Sequence, residues 1–166
     1  MQAEKQTVSE EQLVVFELAG ETYGVEIATV HEIIRMQDIT DIPRTPEFVE
    51  GVINLRGRII PVIDLRKRFG LGVAEQTQSS RIIVVEVGGV TVGMIVDSVS
   101  EVLRLATNNI EPPPAVISGV DAAYLRGVGK LDEQLIILLD LKKVLEKEER
   151  KQLQQDSFQE VAAAQE

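Results

Sequence analysis

Hydrophobic and polar positions alternate with a period of two from Leu13 onward. In Leu13-Val-Val-Phe-Glu-Leu18, Val14, Phe16 and Leu18 can face one side while Val15 and Glu17 face the other, the pattern of a half-buried strand. The pattern predicts strands at 13–18 and 22–27 around a turn at Gly20, then an apolar segment at 28–35. A proline-bearing loop, 39–48, leads to a hairpin of 51–55 and 58–63 around Arg56-Gly57, and a short helix at 64–69 follows. The same order returns beyond a linker at 71–80: strands 81–87 and 90–96, an apolar segment at 97–105, a loop at 108–117, and a hairpin of 123–130 and 134–139. A helix at 140–153 closes the chain, with Asp140 as its N-cap. Residues 1–12 and 154–166 read as flexible tails.

The chain is an internal repeat. Val15 to Arg35 overlays Val84 to Arg104 at an offset of 69, with Val15, Glu17, Gly20, Thr22, Gly24, Val30, Glu32 and Arg35 all recurring. Leu55-Arg56-Gly57 matches Leu125-Arg126-Gly127 at an offset of 70, and Asp64-Leu65 matches Asp140-Leu141 at 76. Five short strands per half with glycine turns predict two small barrels, about 13–70 and about 80–140. A half of that size is marginal alone, so the two should share a hydrophobic interface. Ile59-Ile60-Pro61-Val62-Ile63 is apolar on both faces and is expected between the barrels. The fold class is mainly β: two SH3-like five-stranded barrels, a shared hydrophobic core and a C-terminal α-helix.

Composition narrows the chemistry. Valine and isoleucine lead the apolar residues, cysteine and tryptophan are absent, and His31 is the one histidine. Thiolate nucleophiles, disulfides, zinc–cysteine sites and most histidine catalysis are thereby excluded. A net charge of −10 disfavours nucleic acid and anionic membrane. The longest uncharged apolar stretch, 87–96, is too short to span a bilayer, and the polar N-terminus is no secretion signal. The expectation is a cytoplasmic protein with no cofactor and no direct membrane insertion.

No catalytic constellation emerges. Glu32 is an acid within the apolar run Val30-His31-Glu32-Ile33-Ile34 and needs a partner if buried; Arg56, held out of its hairpin by Gly57, is the candidate. Glu101 and Arg126 are the expected repeat mates. A Glu32–Glu101 pair for glycoside hydrolysis would need a sugar cleft that nothing else suggests. His31 lacks the nucleophile and orienting acid of a catalytic base. The glycines form no phosphate loop, because no Lys-Ser/Thr follows them. Pro112-Pro113-Pro114 reads as a stiff loop. The residues read as an interaction module, against which a small-molecule-binding barrel would show a deep closed pocket.

Tyr23-Gly-Val-Glu-Ile27, Val30-His-Glu-Ile-Ile34, Pro46-Glu-Phe-Val-Glu-Gly-Val-Ile-Asn-Leu-Arg-Gly57, Pro61-Val-Ile-Asp-Leu-Arg66 and Val92-Gly-Met-Ile-Val-Asp-Ser-Val99 closely resemble the CheW family of bacterial chemotaxis coupling proteins. The resemblance runs over 13–150 as a single domain. It implies a non-enzymatic adaptor that links the cytoplasmic tips of methyl-accepting chemoreceptors to the histidine kinase CheA, beneath the receptor array. The kinase's regulatory domain would be a partner of like fold. A related pathway, such as surface motility, is the alternative. At this length there is no room for the kinase's ATP-binding parts or for a receiver domain. The resemblance further implies a receptor-binding groove at Val30, Glu32, Ile33, Arg56 and Gly57. Ile39, Ile42 and Phe48 in one loop, with Val116 and Ile117 in its equivalent, are the expected kinase contacts.

Overall fold

The first two strands of each half fold into the barrel of the other half. The structure, a computed structural model, describes residues 9–114, 116–117 and 120–153. The strands are β1 (Glu10–Leu18), β2 (Glu21–Glu26), β3 (Val30–Arg35), β4 (Val49–Leu55), β5 (Arg58–Asp64), β6 (Arg81–Val87), β7 (Val90–Val96), β8 (Ser98–Ala106), β9 (Ile110–Glu111), β10 (Val116–Ile117), β11 (Val120–Asp121), β12 (Leu125–Leu131) and β13 (Gln134–Leu139). The helices are α1 (Leu65–Phe69), α2 (Leu141–Val144) and α3 (Lys147–Gln152).

One sheet runs β8-β1-β2-β13-β12-β9 and the other β3-β6-β7-β5-β4, with β10-β11 as a small ribbon. In repeat terms β1 and β2 correspond to β6 and β7. Each barrel therefore takes its first hairpin from one half and its last three long strands from the other. Each hairpin is joined on both sides: by parallel pairs, Tyr23 opposite Ile137 between β2 and β13 and Gly93 opposite Val62 between β7 and β5, and by the antiparallel pairs β1–β8 and β3–β6. The division into barrels of 13–70 and 80–140 is thus corrected. The alternation fixes which face of a strand is apolar but not which copy of the repeat it pairs with.

The shared core between the barrels is confirmed residue by residue. On β1, Val14, Phe16 and Leu18 enter a cluster common to both sheets, while Leu13 and Val15 fill the interior of their own barrel. On β6, Ile83 and Val85 face the common cluster and Ile82 and Val84 the barrel interior. In the two-faced run of β5, Ile63 faces the common core and Ile60 and Val62 the barrel interior. Fully burying each such side chain contributes about 1.5–3 kcal/mol. Gly24 and Gly93 are repeat mates for a packing reason. A Cβ on Gly24 would lie 3.2 Å from Ile136, and one on Gly93 would lie 2.7 Å from Ile82.

Three further expectations change. Residues 10–12 belong to β1, paired with Ala106, Leu105 and Arg104, so they are not tail; residues 1–8 and 154–166 lie outside the described residues. The helix at 140–153 is two short helices. Asp140 caps α2 by accepting from the Lys142 N–H at 3.1 Å, as expected. Leu145 then turns extended (φ −118°, ψ 107°) to bury itself in the common core, and the Glu146 N–H donates to Glu149 at 2.9 Å to start α3. Finally, Leu125-Arg126-Gly127 is not the counterpart of Leu55-Arg56-Gly57. β4 and β12 correspond at an offset of 76, which places Gly127 with Gly51; both sit at the same register shift against the following strand. The mate of Arg56 in its turn is Asp132, and both have positive φ, 53° and 55°.

Candidate interaction surface

The turn between β4 and β5 is built by Asn54, Arg56 and Gly57. Arg56 and Gly57 both have positive φ, 53° and 89°, which matches the right-handed twist of the flanking strands. The Asn54 side-chain oxygen accepts from the Gly57 N–H at 2.8 Å and closes the turn. Leu55 turns inward against the barrel interior. The result is an arginine projected from a rigid corner with 70% of its side chain exposed.

Glu32 meets it from β3. Its carboxylate is ion-paired and hydrogen-bonded with the Arg56 guanidinium. β3 and β4 are the two ends of the five-stranded sheet, so the pair bridges the seam where the barrel closes. Two backbone hydrogen bonds between Thr40 and Val52, 2.8 and 2.9 Å, close the same seam from within. Beside Glu32, Ile33 stands 39% exposed, and Val30 packs against the common core. The structure therefore brings Glu32 of β3 to one seam with Arg56 and Gly57 of the β4–β5 turn, and Val30 and Ile33 lie on the same strand as Glu32. His31 lies 3.2 Å from Glu86 on the neighbouring strand, a structural contact.

The repeat does not duplicate this pair. Glu101 is exposed and makes no ion pair with another described residue. Arg126 lies on a strand and contacts Glu11 at 2.5 Å and Glu26 at 3.7 Å. Glu32 and Glu101 stand in different sheets, and Glu32 is held by an arginine, so they form no acid pair.

The loop residues assigned to a kinase contact are placed differently from the expectation of an exposed apolar loop. Ile42 and Phe48 are buried in the common core, and Ile39 packs against the barrel interior. Their apolar character anchors the loop. The Arg68 guanidinium lies 4.6 Å from the Phe48 ring centroid and 5.4 Å from that of Tyr124, and it is held by the Val144 carbonyl and the Glu149 carboxylate. The side chains of Val116 and Ile117 lie outside the described residues; their backbones pair with β11.

Two features escaped the sequence reading. Gly51, with φ 145°, has the Thr40 carbonyl oxygen 2.2 Å from where a Cβ would be, so only glycine lets that seam close. A glycine inside a β-branched strand was the available signal. Val102, the repeat mate of Ile33, is 50% exposed, so the two barrels each show an apolar side chain at the same position of corresponding edge strands. An open cleft of about 270 Å³ between the barrels is lined by the charged Glu26, Glu86, Arg126 and Lys142 together with the apolar Val87 and Leu139. Among the described residues no group of acidic residues or histidine could hold a metal ion, and no helix is long and apolar enough to cross a membrane.

Twin SH3-like barrels with exchanged hairpins and an arginine displayed at a sealed seam define a double-barrel interaction module. The chain belongs to the CheW-like domain family, whose model matches residues 12–149. It is 41% identical over 144 residues to the chemotaxis protein CheW of Klebsiella aerogenes, which covers 87% of this chain and 86% of that protein. It is 33% identical over 141 residues to protein FrzA of Myxococcus xanthus, covering 82% of this chain and 86% of that one. Its fold is similar to the crystal structure of the scaffolding protein TtCheW from Thermoanaerobacter tengcongensis. There the TM-score is 0.78 and the identity 48%, over 86% of this chain and 92% of that chain.

Proposed function

We propose that the chain is a non-enzymatic chemotaxis adaptor that couples chemoreceptor cytoplasmic tips to the histidine kinase CheA. The observation that carries the receptor side is the Glu32–Arg56 pair beside exposed Ile33. A helical hairpin laid on this surface would use apolar contacts for area and the charged pair for register. Val30 and Gly57 frame that surface. On the kinase side the reading is the loop anchored by Ile39, Ile42 and Phe48, with its equivalent at Val116 and Ile117, against the regulatory domain. Ile42 and Phe48 hold the loop in shape, and the exposed Asp41, Pro43 and Arg44 meet the partner. The adaptor would act in the cytoplasm and reach the membrane only through receptor arrays. The FrzA similarity keeps a second reading, the same adaptor role in another receptor–kinase pathway.

Titration calorimetry against a chemoreceptor cytoplasmic fragment, and separately against the kinase regulatory domain, tests this. Wild type should bind both. Arg56→Ala should weaken receptor binding about tenfold, on the order of 1.4 kcal/mol, and leave kinase binding unchanged. Glu32→Ala combined with Arg56→Ala should cost less than the sum of the single changes. Binding of neither partner by folded protein would refute the adaptor reading, and strict additivity would refute the pairing.

A further inference from the structure

Four arginines of this chain are matched to carboxylates: Arg56 to Glu32, Arg66 to Asp97, Arg68 to Glu149 and Arg126 to Glu11. Arg35 and Arg81 are not. They are direct cross-strand partners in the antiparallel β3–β6 ladder, so their Cα atoms lie roughly 4.5–5.5 Å apart. Like charges placed so are destabilising on their own. Neither has a carboxylate partner among the described residues, although the chain carries a net charge of −10. Both line a cleft of about 440 Å³ with Met36, Thr77, Gln78 and Ser80.

The cleft is also rigid. Arg81 Nη1 donates to the carbonyls of Gln78 and Ser80, both at 2.8 Å. Those carbonyls belong to a turn fixed by the Thr77 N–H donating to Ser80 Oγ at 2.9 Å and the Ser80 N–H donating to the Thr77 carbonyl at 3.1 Å. The Nη1 edge of the Arg81 guanidinium is thereby oriented by backbone, and exposed Arg35 stands beside it.

We propose that the Arg35–Arg81 cleft binds a doubly charged phosphate group, either as the free ion or as a small monoester. A carboxylate is neutralised by a single guanidinium fork. Two adjacent forks match the charge and the several oxygens of a phosphate dianion. The repeat supplies an internal control. Arg104 is the repeat mate of Arg35, but it stands opposite Gln12, so it has no second guanidinium at its side.

The test follows the arginine Nε–Hε resonances of the full chain by NMR, titrated with inorganic phosphate or with O-phosphoserine at constant ionic strength set by sodium chloride. Saturable millimolar binding is expected. It should weaken at least tenfold in Arg35→Gln and in Arg81→Gln, and stay within twofold of wild type in Arg104→Gln. Equal affinity for the two probes assigns the site to the free ion, and tighter binding of O-phosphoserine assigns it to a monoester. Arg35 is exposed, so its substitution carries the test if Arg81→Gln does not fold. Shifts that chloride alone reproduces, that fail to saturate, or that persist in Arg35→Gln would overturn the proposal.

Discussion

Tyr23 shows how one buried atom sets a pH limit. Its ring is fully buried and stacked near Phe16 and Phe69, at 5.9 and 6.3 Å between centroids, and its hydroxyl has no hydrogen-bond partner among the described residues. Burial first, and the charge of Glu21 second, push the phenol up to about 12. The unfolded chain ionises the same group near pH 10. Between those values the unfolded state has lost a proton that the folded state keeps. Stability therefore falls as pH rises from 10 to 12, by about 2–3 kcal/mol. Tyr23→Phe should remain within about 1 kcal/mol of wild type at pH 7 and lose this alkaline decline. Urea unfolding from pH 7 to 12 reads the difference, and parallel curves for the two proteins would refute it. Gly51 poses a steric limit instead. Gly51→Ala sets a methyl against the Thr40 carbonyl and should cost at least about 2 kcal/mol, whereas Gly20→Ala meets nothing and bears only its φ of 82°, about 1 kcal/mol. Midpoints of chemical unfolding separate the two cases. At this scale the Glu32–Arg56 contact was legible, because an acid in an apolar run and an arginine beside a turn glycine each lacked a local partner. The carbonyl behind Gly51 was not, because it comes from Thr40, in a loop that alternation does not locate.

Elements carry the ties that residues alone do not explain. α1 begins where Asp64 accepts from the Arg66 N–H at 2.9 Å, and it ends at Gly70 with φ 70°. From that first turn Arg66 reaches the corner between β7 and β8. Its Nε and Nη2 donate to Asp97 at 3.0 and 2.7 Å, and Asp97 also accepts from the Ala19 N–H at 2.9 Å. One carboxylate, at the crossover from one sheet to the other, thus joins helix α1 to the β1–β2 turn. The Arg66 hydrogen bonds hold the Asp97 carboxyl below its usual range against an opposing effect of burial. Its folded value is lowered, so its contribution is present above the ordinary carboxylate range and is lost as pH falls through the lowered value. Asp97→Asn should destabilise the protein by about 1–2 kcal/mol at pH 7 and flatten the acid limb of the stability profile. Wild type losing no more stability on acidification than the variant would count against the tie. The cap at Asp140 was legible from sequence, with Asp64 as its repeat match, as were most strands. The break at Leu145 was not, since burial of one leucine in a core shared by both barrels overrides the helical pattern on either side.

The exchange of hairpins decides how the whole molecule holds together. Repetition of Gly20, Gly24, Glu32 and Arg35 announced two barrels, and apolar runs on both faces of β5 announced a core between them. The partner of each hairpin was hidden, because β1 pairs equally well in pattern with β3 or with its repeat mate β8, and only the three-dimensional closure selects β8. A consequence follows for stability. Cut between residues 74 and 75, the N-terminal piece keeps β1 and β2 without β13 or β8, and keeps β3 and β5 without β6 or β7. Each piece would expose half of the common core and leave strand edges unpaired, so neither has a complete barrel to stabilise it. Fragments 1–74 and 75–166 should each lack a cooperative unfolding transition when alone. Mixed, they should recover one, because the linker they lose is an exposed segment that contributes little to either core. Its midpoint should rise with fragment concentration, as association requires. Circular dichroism melts of each fragment and of the equimolar mixture measure this. Cooperative melting of a single fragment, at a temperature independent of its concentration, would mean that a half closes its own barrel and that the exchange is not what holds the molecule together.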